Sequence, residues 1–216
     1  MEPVYRTIIG IARTVFAAQG LKFKVKGDEN VPAEGGAVIA VNHTGYMDFT
    51  YAGLPVRTPK RYIRFMAKKE VFDHKIGGPL MRSLRHIEVD RASGADSFAA
   101  ACAALKAGEL VGVYPEATIS RSFEIKGFKS GAARMAIAAD VPIIPHSIWG
   151  AQRVWTKGHP RNMRRPKVPI SIAVGEPVPV SRQDDAAEVT ARVREQMITL
   201  LDGIQAGYPD RPGSPE

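Results

Sequence analysis

The sequence lacks a second cysteine and any long apolar run, and both absences limit the classes of protein to which it can belong. Cys102 is the only cysteine, which rules out an internal disulfide and is typical of proteins from reducing compartments. A helix needs about 20 predominantly apolar residues to span a bilayer, and charged residues interrupt every candidate stretch before that length. Arg6 and Arg13 also break the amino-terminal apolar segment too early for a secretory signal. We therefore expect no transmembrane span, and a location in the cytosol or on the cytosolic side of a membrane.

Acidic residues are scarce relative to basic ones. The chain has 22 Asp and Glu against 30 Lys and Arg, a net charge of +8, which predicts an anionic partner. Nucleic acid, a phospholipid leaflet and a phosphorylated metabolite all fit this charge. The remaining composition is that of an ordinary globular protein, and 216 residues suffice for one sizeable core.

Internal repeats and low-complexity linkers are also absent, which favours one domain. Predicted strands alternate with predicted helices, a pattern typical of a mostly parallel sheet with helices on its faces. The predicted fold is a single α/β domain, with a mixed, mostly parallel sheet flanked by helices. We expect an amphipathic amino-terminal helix over residues 1–20, the domain itself over 21–206 and a disordered, proline-rich tail over 207–216.

The amino-terminal helix has an unusually broad apolar face. Val4, Ile8, Ile11 and Val15 recur at helical spacing, and arginines lie on the remaining side. Such a helix can rest in the headgroup region of a membrane. It can equally pack against the domain as a terminal helix. The two interpretations carry similar weight, and both can hold at once.

A short apolar run leads into the strongest candidate for a catalytic site. Residues 37–41 are rich in β-branched side chains and predict a buried strand. His43 follows at its carboxyl end, where open α/β sheets bind ligands. In one continuous helix His43 and Asp48 would point about 140° apart. They meet only if Gly45 lets the chain bend and Asp48 begins the next helix. Their pairing would fix the imidazole tautomer and leave the other ring nitrogen as a base for a hydroxyl.

Other polar residues also follow predicted strands. Lys68 comes after a strand over residues 62–67, Arg91 after one that contains Ile87 and Val89, and Glu116 after a buried strand that begins at residue 110. A parallel sheet would bring all three to the same edge as His43. The sequence therefore predicts a cleft in which a histidine base lies beside cationic side chains.

The segment over residues 153–167 has six basic residues and no acid, with Trp155 and Met163 interleaved and Trp149 just before it. Basic and aromatic residues together suit an anionic membrane interface, where tryptophan lies at the level of the headgroups. They also suit single-stranded nucleic acid.

Four segments of the chain, in order, resemble the four signatures of the glycerolipid acyltransferases, the family that includes the lysophosphatidic acid acyltransferases. The first is Asn-His-x4-Asp at 42–48, the second a glycine-containing helix and strand that end on arginine, the third a relative of Pro-Glu-Gly-Thr-Arg-Ser, and the fourth an apolar strand with prolines. Each is weak alone, but their joint occurrence by chance is improbable. The four segments are residues 42–48, 77–91, 115–120 and 141–145.

The resemblance implies a role for each matching residue. His43 would be the base and Asp48 would orient it. Lys68 and Arg91 would hold the phosphate of the acceptor, and an arginine fork suits a phosphate dianion well. By the same resemblance, Glu116 would position the glycerol backbone.

Two further residues in or near the third signature match the family, and two residues of that signature differ from it. Thr118 would hydrogen-bond the glycerol backbone, and Lys129 matches the lysine of the family's Phe-Lys-x-Gly segment as a further substrate-binding residue. Ala117 replaces the family glycine, which is tolerable if the backbone there keeps a negative φ. Ile119 replaces the family arginine, and Arg121 could supply the missing charge.

The resulting hypothesis is direct acyl transfer at the cytoplasmic face of the cell membrane, with the protein bound peripherally. A fatty acyl group would move from acyl-CoA or acyl carrier protein to lysophosphatidic acid, giving phosphatidic acid. The thioester is a co-substrate, and no cofactor is expected. No Gly-x-Ser-x-Gly elbow is present, and Cys102 lies in an alanine-rich segment that suits a buried thiol better than a nucleophile.

Three alternatives remain. The acceptor can be another lysophospholipid or a glycerol phosphate. A non-catalytic binder of anionic lipid or nucleic acid would explain the charge but not the ordered motifs, which makes nucleic acid the weaker partner. A metal hydrolase using His43, Asp48 and Glu116 is disfavoured because the zinc motif His-Glu-x-x-His is absent, and we expect no metal.

Overall fold

The computed structural model describes residues 3–57, 61–90 and 94–209. This part of the chain contains seven strands and seven α-helices. The strands are β1 Lys22–Lys26, β2 Ala37–Val41, β3 Ile63–Lys68, β4 Ile87–Val89, β5 Leu110–Val113, β6 Ile143–Trp149 and β7 Pro169–Val174. The helices are α1 Pro3–Ala18, α2 Asp48–Ala52, α3 Lys69–Asp73, α4 Gly77–Ser83, α5 Gly94–Lys106, α6 Gly131–Ala139 and α7 Ala186–Ala206.

The strands form one sheet in the order β1-β7-β6-β2-β5-β3-β4. Strands β6, β2, β5, β3 and β4 run parallel, whereas β7 is antiparallel to β6. The prediction of an α/β fold with a mixed, mostly parallel sheet is confirmed. Because β2, β5 and β3 are parallel neighbours, the segments after them emerge at one edge of the sheet.

The central strand β2 is buried at every position, as its unbroken apolar run predicts. Ile39 and Val41 pack into a core on one face of the sheet, with Tyr51 of α2. Val38 and Ala40 pack into a second core on the opposite face, with helices α5, α6 and α7. Helices on both faces thus hold β2 in place, and this fixes the position of the turn that follows it.

Helix α1 uses its broad apolar face in two ways. Phe16 is buried in the core, and Ala12 packs against it. In contrast, Val4, Ile11 and Val15 are 47%, 59% and 43% exposed. One stripe of the helix therefore packs on the domain while a second apolar stripe faces outward. In the described part of the chain, no helix is both long and apolar enough to cross a membrane.

The predicted disordered tail starts too early. Tyr208 is buried, and its hydroxyl donates a hydrogen bond to the carbonyl oxygen of Pro169 at 2.7 Å. Its ring also lies 4.9 Å from the guanidinium of Arg153. The polar composition of the tail concealed this anchoring aromatic side chain. Residues 210–216 of the predicted tail lie outside the described residues.

Candidate active site

The turn after β2 brings His43 and Asp48 into contact. The His43 Nδ1 atom lies 3.0 Å from Asp48 Oδ2. The His43 side chain is 19% exposed, whereas that of Asp48 is fully buried. Asp48 is the first residue of α2, and His43 stands before that helix in a non-helical turn. This is the geometry that the spacing of the two residues predicts.

Asp48 is held by the backbone of the same turn. The N–H groups of Thr44 and Gly45 both donate to Asp48 Oδ2, each at 2.8 Å. Burial raises the pKa of Asp48, while these two donors and His43 act in the opposite direction. An oxygen that already accepts two N–H bonds from the turn has a fixed position, so it also fixes the ring that it contacts.

Gly45 serves this turn for a different reason from the one predicted. Its φ is not in the left-handed region, so the bend does not depend on glycine's backbone freedom. A Cβ atom at this position would instead lie 3.0 Å from the carbonyl oxygen of Ala151 and 3.1 Å from that of Trp155. Glycine is favoured because the segment after β6 passes directly over the turn and leaves little room for a Cβ atom.

That segment also contributes hydrogen bonds to the turn. The N–H of Tyr46 donates to the carbonyl oxygen of Trp155 at 3.0 Å. The Thr156 hydroxyl donates to the carbonyl oxygen of Thr44 at 2.7 Å. From the other side, the N–H of Ser120 donates to the carbonyl oxygen of His43 at 2.8 Å. The turn is therefore clamped by two loops that are distant in sequence.

Glu116 makes contacts other than those predicted for it. Its Oε1 accepts the backbone N–H of His43 at 3.0 Å, and its Oε2 accepts the N–H of Lys126 at 3.2 Å. The side chain is buried, and burial raises its pKa. Because both carboxylate oxygens are engaged by the backbone, Glu116 is tied to the turn that carries His43.

Tyr114 was not among the predicted site residues, yet it touches the base. Its ring stacks on the imidazole of His43, with the centroids 4.0 Å apart and the planes inclined by 16°. Together with Asp48 at the ring edge, this stacking restricts the imidazole to one orientation. The sequence held one weak signal, because Tyr114 immediately precedes the Pro-Glu pair of the third signature.

The other four histidines have different environments. His146 is fully buried in β6, and burial lowers its pKa to about 3. His86 accepts the N–H of Phe65, and burial lowers its pKa to about 4. His74 and His159 are exposed. Within the described residues, His43 is the histidine that contacts a carboxylate.

Four predicted substrate-binding residues lie on the surface near this turn. Lys68 ends β3, and the N–H of Lys129 donates to the carbonyl oxygen of Pro115 at 2.9 Å. Thr118 and Arg121 belong to the loop that contains Ser120. All four side chains are exposed and make no hydrogen bond or ion pair with other described residues. They are therefore available to a ligand. Arg91, the remaining predicted residue, lies outside the described residues.

The expectation for Ala117 is wrong. Its φ is +58°, in the left-handed region that favours glycine, rather than negative. The N–H of Ala117 donates to the carbonyl oxygen of Tyr114 at 2.9 Å, closing a tight turn. Ala117 thus adopts a backbone conformation that glycine would adopt with less strain.

An apolar cavity of about 320 Å³ lies between α1 and the core. Tyr5, Ile9 and Phe16 of α1 form one wall, and Phe49 and Leu54 from the α2 region form another. Because Phe49 follows Asp48 directly, the cavity begins next to the helix whose first residue is Asp48. Over the described residues, no three His, Cys, Asp or Glu side chains gather as metal ligands would.

Comparison with known proteins agrees with this architecture. The model of the Acyltransferase family matches residues 22–149. The 1-acyl-sn-glycerol-3-phosphate acyltransferase of Bacillus subtilis is 28% identical over 200 residues, covering 91% of this chain and 92% of that protein. The 1-acyl-sn-glycerol-3-phosphate acyltransferase alpha of Bos taurus is 27% identical over 206 residues, covering 90% of this chain and 70% of the bovine protein.

A solved structure has the same fold. The crystal structure of the 1-acyl-sn-glycerophosphate (LPA) acyltransferase from Thermotoga maritima superimposes with a TM-score of 0.75 at 24% sequence identity. The match covers 95% of this chain and 81% of the Thermotoga chain.

Proposed function

The chain belongs to the Acyltransferase family, and on this basis we propose that it moves a fatty acyl group from an acyl thioester to the free hydroxyl of lysophosphatidic acid. The product would be phosphatidic acid. The observation that carries the proposal is the contact of His43 with a buried Asp48 at 3.0 Å. The Bacillus and bovine relatives are named 1-acyl-sn-glycerol-3-phosphate acyltransferases, which supports lysophosphatidic acid as the acceptor.

The mechanism follows from the orientation of His43. When Nδ1 donates to Asp48 Oδ2, the Nε2 atom is unprotonated and can accept a proton. It takes the proton of the acceptor hydroxyl as the oxygen attacks the thioester carbonyl. The carbon–sulfur bond then breaks, and the imidazolium returns the proton to the departing thiolate. Asp48 stabilises the imidazolium that forms. General-base catalysis is worth about 10²- to 10⁴-fold, so the positioning of both substrates supplies much of the remaining acceleration.

The acceptor and donor would use the groups that surround this base. Lys68, Arg91 and Arg121 are the proposed ligands of the acceptor phosphate, with Lys129 and Thr118 beside them. The apolar cavity under α1 suits a fatty acyl chain, because burying its methylene groups there is favourable. The co-substrate would be acyl-CoA or acyl carrier protein, with no other cofactor.

A peripheral position on the cytoplasmic face of the membrane would bring the enzyme to its lipid acceptor. Val4, Ile11 and Val15 form an exposed apolar stripe, and Arg6 and Arg13 are exposed on the same helix. This combination supports insertion of α1 at the level of anionic headgroups.

The experiment that tests the proposal is a thioester-release assay with acyl-CoA and acyl carrier protein donors. We expect thiol release to depend on lysophosphatidic acid and to fall sharply with monoacylglycerol, which has the same hydroxyl but no phosphate. Other lysophospholipids and glycerol 3-phosphate serve as competing acceptors. No thiol release with any of these acceptors would refute the acyltransferase assignment. Equal rates with and without the phosphate would refute the assignment of the acceptor.

Glu116 would act in this reaction as a positioning residue for His43. Replacing it with alanine removes the acceptor of the His43 N–H, and we expect kcat to fall by roughly tenfold, as for the loss of one buried charge-assisted hydrogen bond. The KM for lysophosphatidic acid should stay unchanged. Glutamine keeps an oxygen near the His43 N–H, so Glu116→Gln should recover most of kcat. Steady-state kinetics distinguishes a positioning role of Glu116 from a role in substrate binding. A rise in the KM for lysophosphatidic acid with normal kcat would show that Glu116 binds the substrate.

A further inference from the structure

Arg153 is a buried arginine for which the described part of the chain supplies no anionic partner. Its residue exposure is 9%, and its Nε and Nη1 atoms have no hydrogen-bond partner there. No described carboxylate forms an ion pair with it. The guanidinium lies over the Tyr208 ring, 4.9 Å from its centroid. A buried charge is costly unless it is paired, so this placement indicates an anion that the protein itself does not provide.

A polar cavity of about 320 Å³ is lined in part by Arg153. Ser122 and Gln205 line it with a hydroxyl and an amide, and Trp149 and Tyr208 line it with aromatic rings. Hydroxyl, amide and guanidinium groups are donors that phosphate oxygens accept. Glu124 also contributes to the lining but makes no ion pair with Arg153. The chemistry of the cavity therefore suits a phosphate group held by a guanidinium.

The cavity lies on the β6 side of the base, whereas Lys68 lies on the β3 side. Trp149 ends β6, and β6 is the neighbour of β2 on one side. Lys68 ends β3, which lies beyond β5 on the other side of β2. Ser122 is two residues after Ser120, whose N–H donates to the carbonyl oxygen of His43. Lys68 and the Arg153 cavity therefore lie on opposite sides of β2.

We propose that the Arg153 cavity binds a phosphate group of the acyl thioester donor. This inference rests on the proposed function, since the donor is defined by that reaction. Coenzyme A and the prosthetic arm of acyl carrier protein both carry phosphate beyond the pantetheine unit, so either donor has the required chemistry. The guanidinium holds the phosphate on the β6 flank while the acyl end reaches His43.

The test compares two variants with the same change in charge. Arg153→Gln removes the buried guanidinium. Arg134→Gln is the control, because the Arg134 guanidinium also lies over an aromatic ring, 5.4 Å from the centroid of Phe98, but is exposed and lines neither described cavity. Calorimetric titration of the full chain uses adenosine 3′,5′-bisphosphate, 4′-phosphopantetheine and glycerol 3-phosphate as probes. We expect Arg153→Gln to weaken one of the first two probes by about tenfold or more, and Arg134→Gln to have no effect.

A second variant keeps the test decisive if Arg153→Gln folds poorly. Gln205→Glu is isosteric and places a negative charge in the cavity, so it should weaken the same probe without removing Arg153. Loss of adenosine bisphosphate binding identifies the nucleotide end of coenzyme A, and loss of phosphopantetheine binding alone identifies the phosphate of the pantetheine arm, which coenzyme A and the carrier protein share. The proposal is overturned if neither donor probe binds, if both arginine variants lose affinity equally, or if only glycerol 3-phosphate depends on Arg153. These titrations require no turnover, so a failed acyl-transfer assay remains a separate result.

Discussion

Replacing His43 with alanine is expected to lower acyl transfer by about 10²- to 10⁴-fold, the usual contribution of a general base. The substitution removes the nitrogen that accepts the proton of the acceptor hydroxyl. It leaves Asp48 with the N–H donors of Thr44 and Gly45, so the turn keeps its main hydrogen bonds. The variant should therefore fold normally. The residual rate reflects substrates that are still held together but lack a base.

The measurement is a thioester-release assay on purified His43→Ala, paired with a thermal unfolding curve. His74→Ala is a suitable control, because His74 is an exposed histidine whose Nδ1 accepts the N–H groups of Ile76 and Gly77. The control should retain activity. Near-normal turnover by His43→Ala, with an unfolding temperature like that of the unsubstituted protein, would show that His43 is not the general base.

Asp48→Asn is expected to cause a loss of similar size, about 10²- to 10⁴-fold in kcat, for a different reason. Asparagine retains a carbonyl oxygen that can accept the N–H groups of Thr44 and Gly45, so the turn survives. It lacks the negative charge that stabilises protonated His43 while the thioester is attacked. Asp48→Ala removes the acceptor as well and should also lower the unfolding temperature. Comparing kcat for the two variants separates the charge of Asp48 from its role in shaping the turn. Unreduced kcat in Asp48→Asn would show that the charge is not used.

Stability should respond to Asp48→Asn in the opposite direction from activity. Burial raises the pKa of Asp48 above its ordinary value, so the native state binds a proton at higher pH than the unfolded chain does. The buried charge therefore opposes folding above the native pKa, and this penalty disappears as the pH falls through that pKa. The asparagine variant should be at least as stable as the original protein at neutral pH, with an advantage that shrinks in mild acid. Urea denaturation of both proteins, at neutral pH and in mild acid, measures the difference in their free energies of unfolding.

The sequence predicts those parts of the site that depend on local pattern. The buried run of β2 and the five-residue spacing of His43 and Asp48 involve neighbours in the chain, and the structure agrees with both. The edge where the polar residues emerge was also predictable, because successive strands joined by helices run parallel. Some element boundaries differ by a residue, as at β3, which spans Ile63–Lys68 rather than the predicted residues 62–67.

The remaining features depend on contacts between distant segments. Glu116 binds the N–H of a residue 73 positions away, and no local pattern indicates that partner. The same holds for Tyr114, whose strand composition shows burial but not stacking on an imidazole. Arg153 is a third case. In the sequence it belongs to a basic segment that resembles a solvated face, and only the fold reveals that it is buried beside Tyr208.

The contacts of the catalytic turn with β6 and with the segment after it have a consequence for synthesis on the ribosome. Asn42 donates to the carbonyl oxygen of Ile148 across 106 residues, and Thr156 donates to that of Thr44 across 112 residues. At translation rates of about 5–20 residues per second, the His43 turn waits roughly 6–22 seconds for these partners to be made. A nascent chain that has only its amino-terminal half therefore carries the His43 imidazole without the contacts that hold its turn in place. The turn has all of these contacts only after residue 156 has been made.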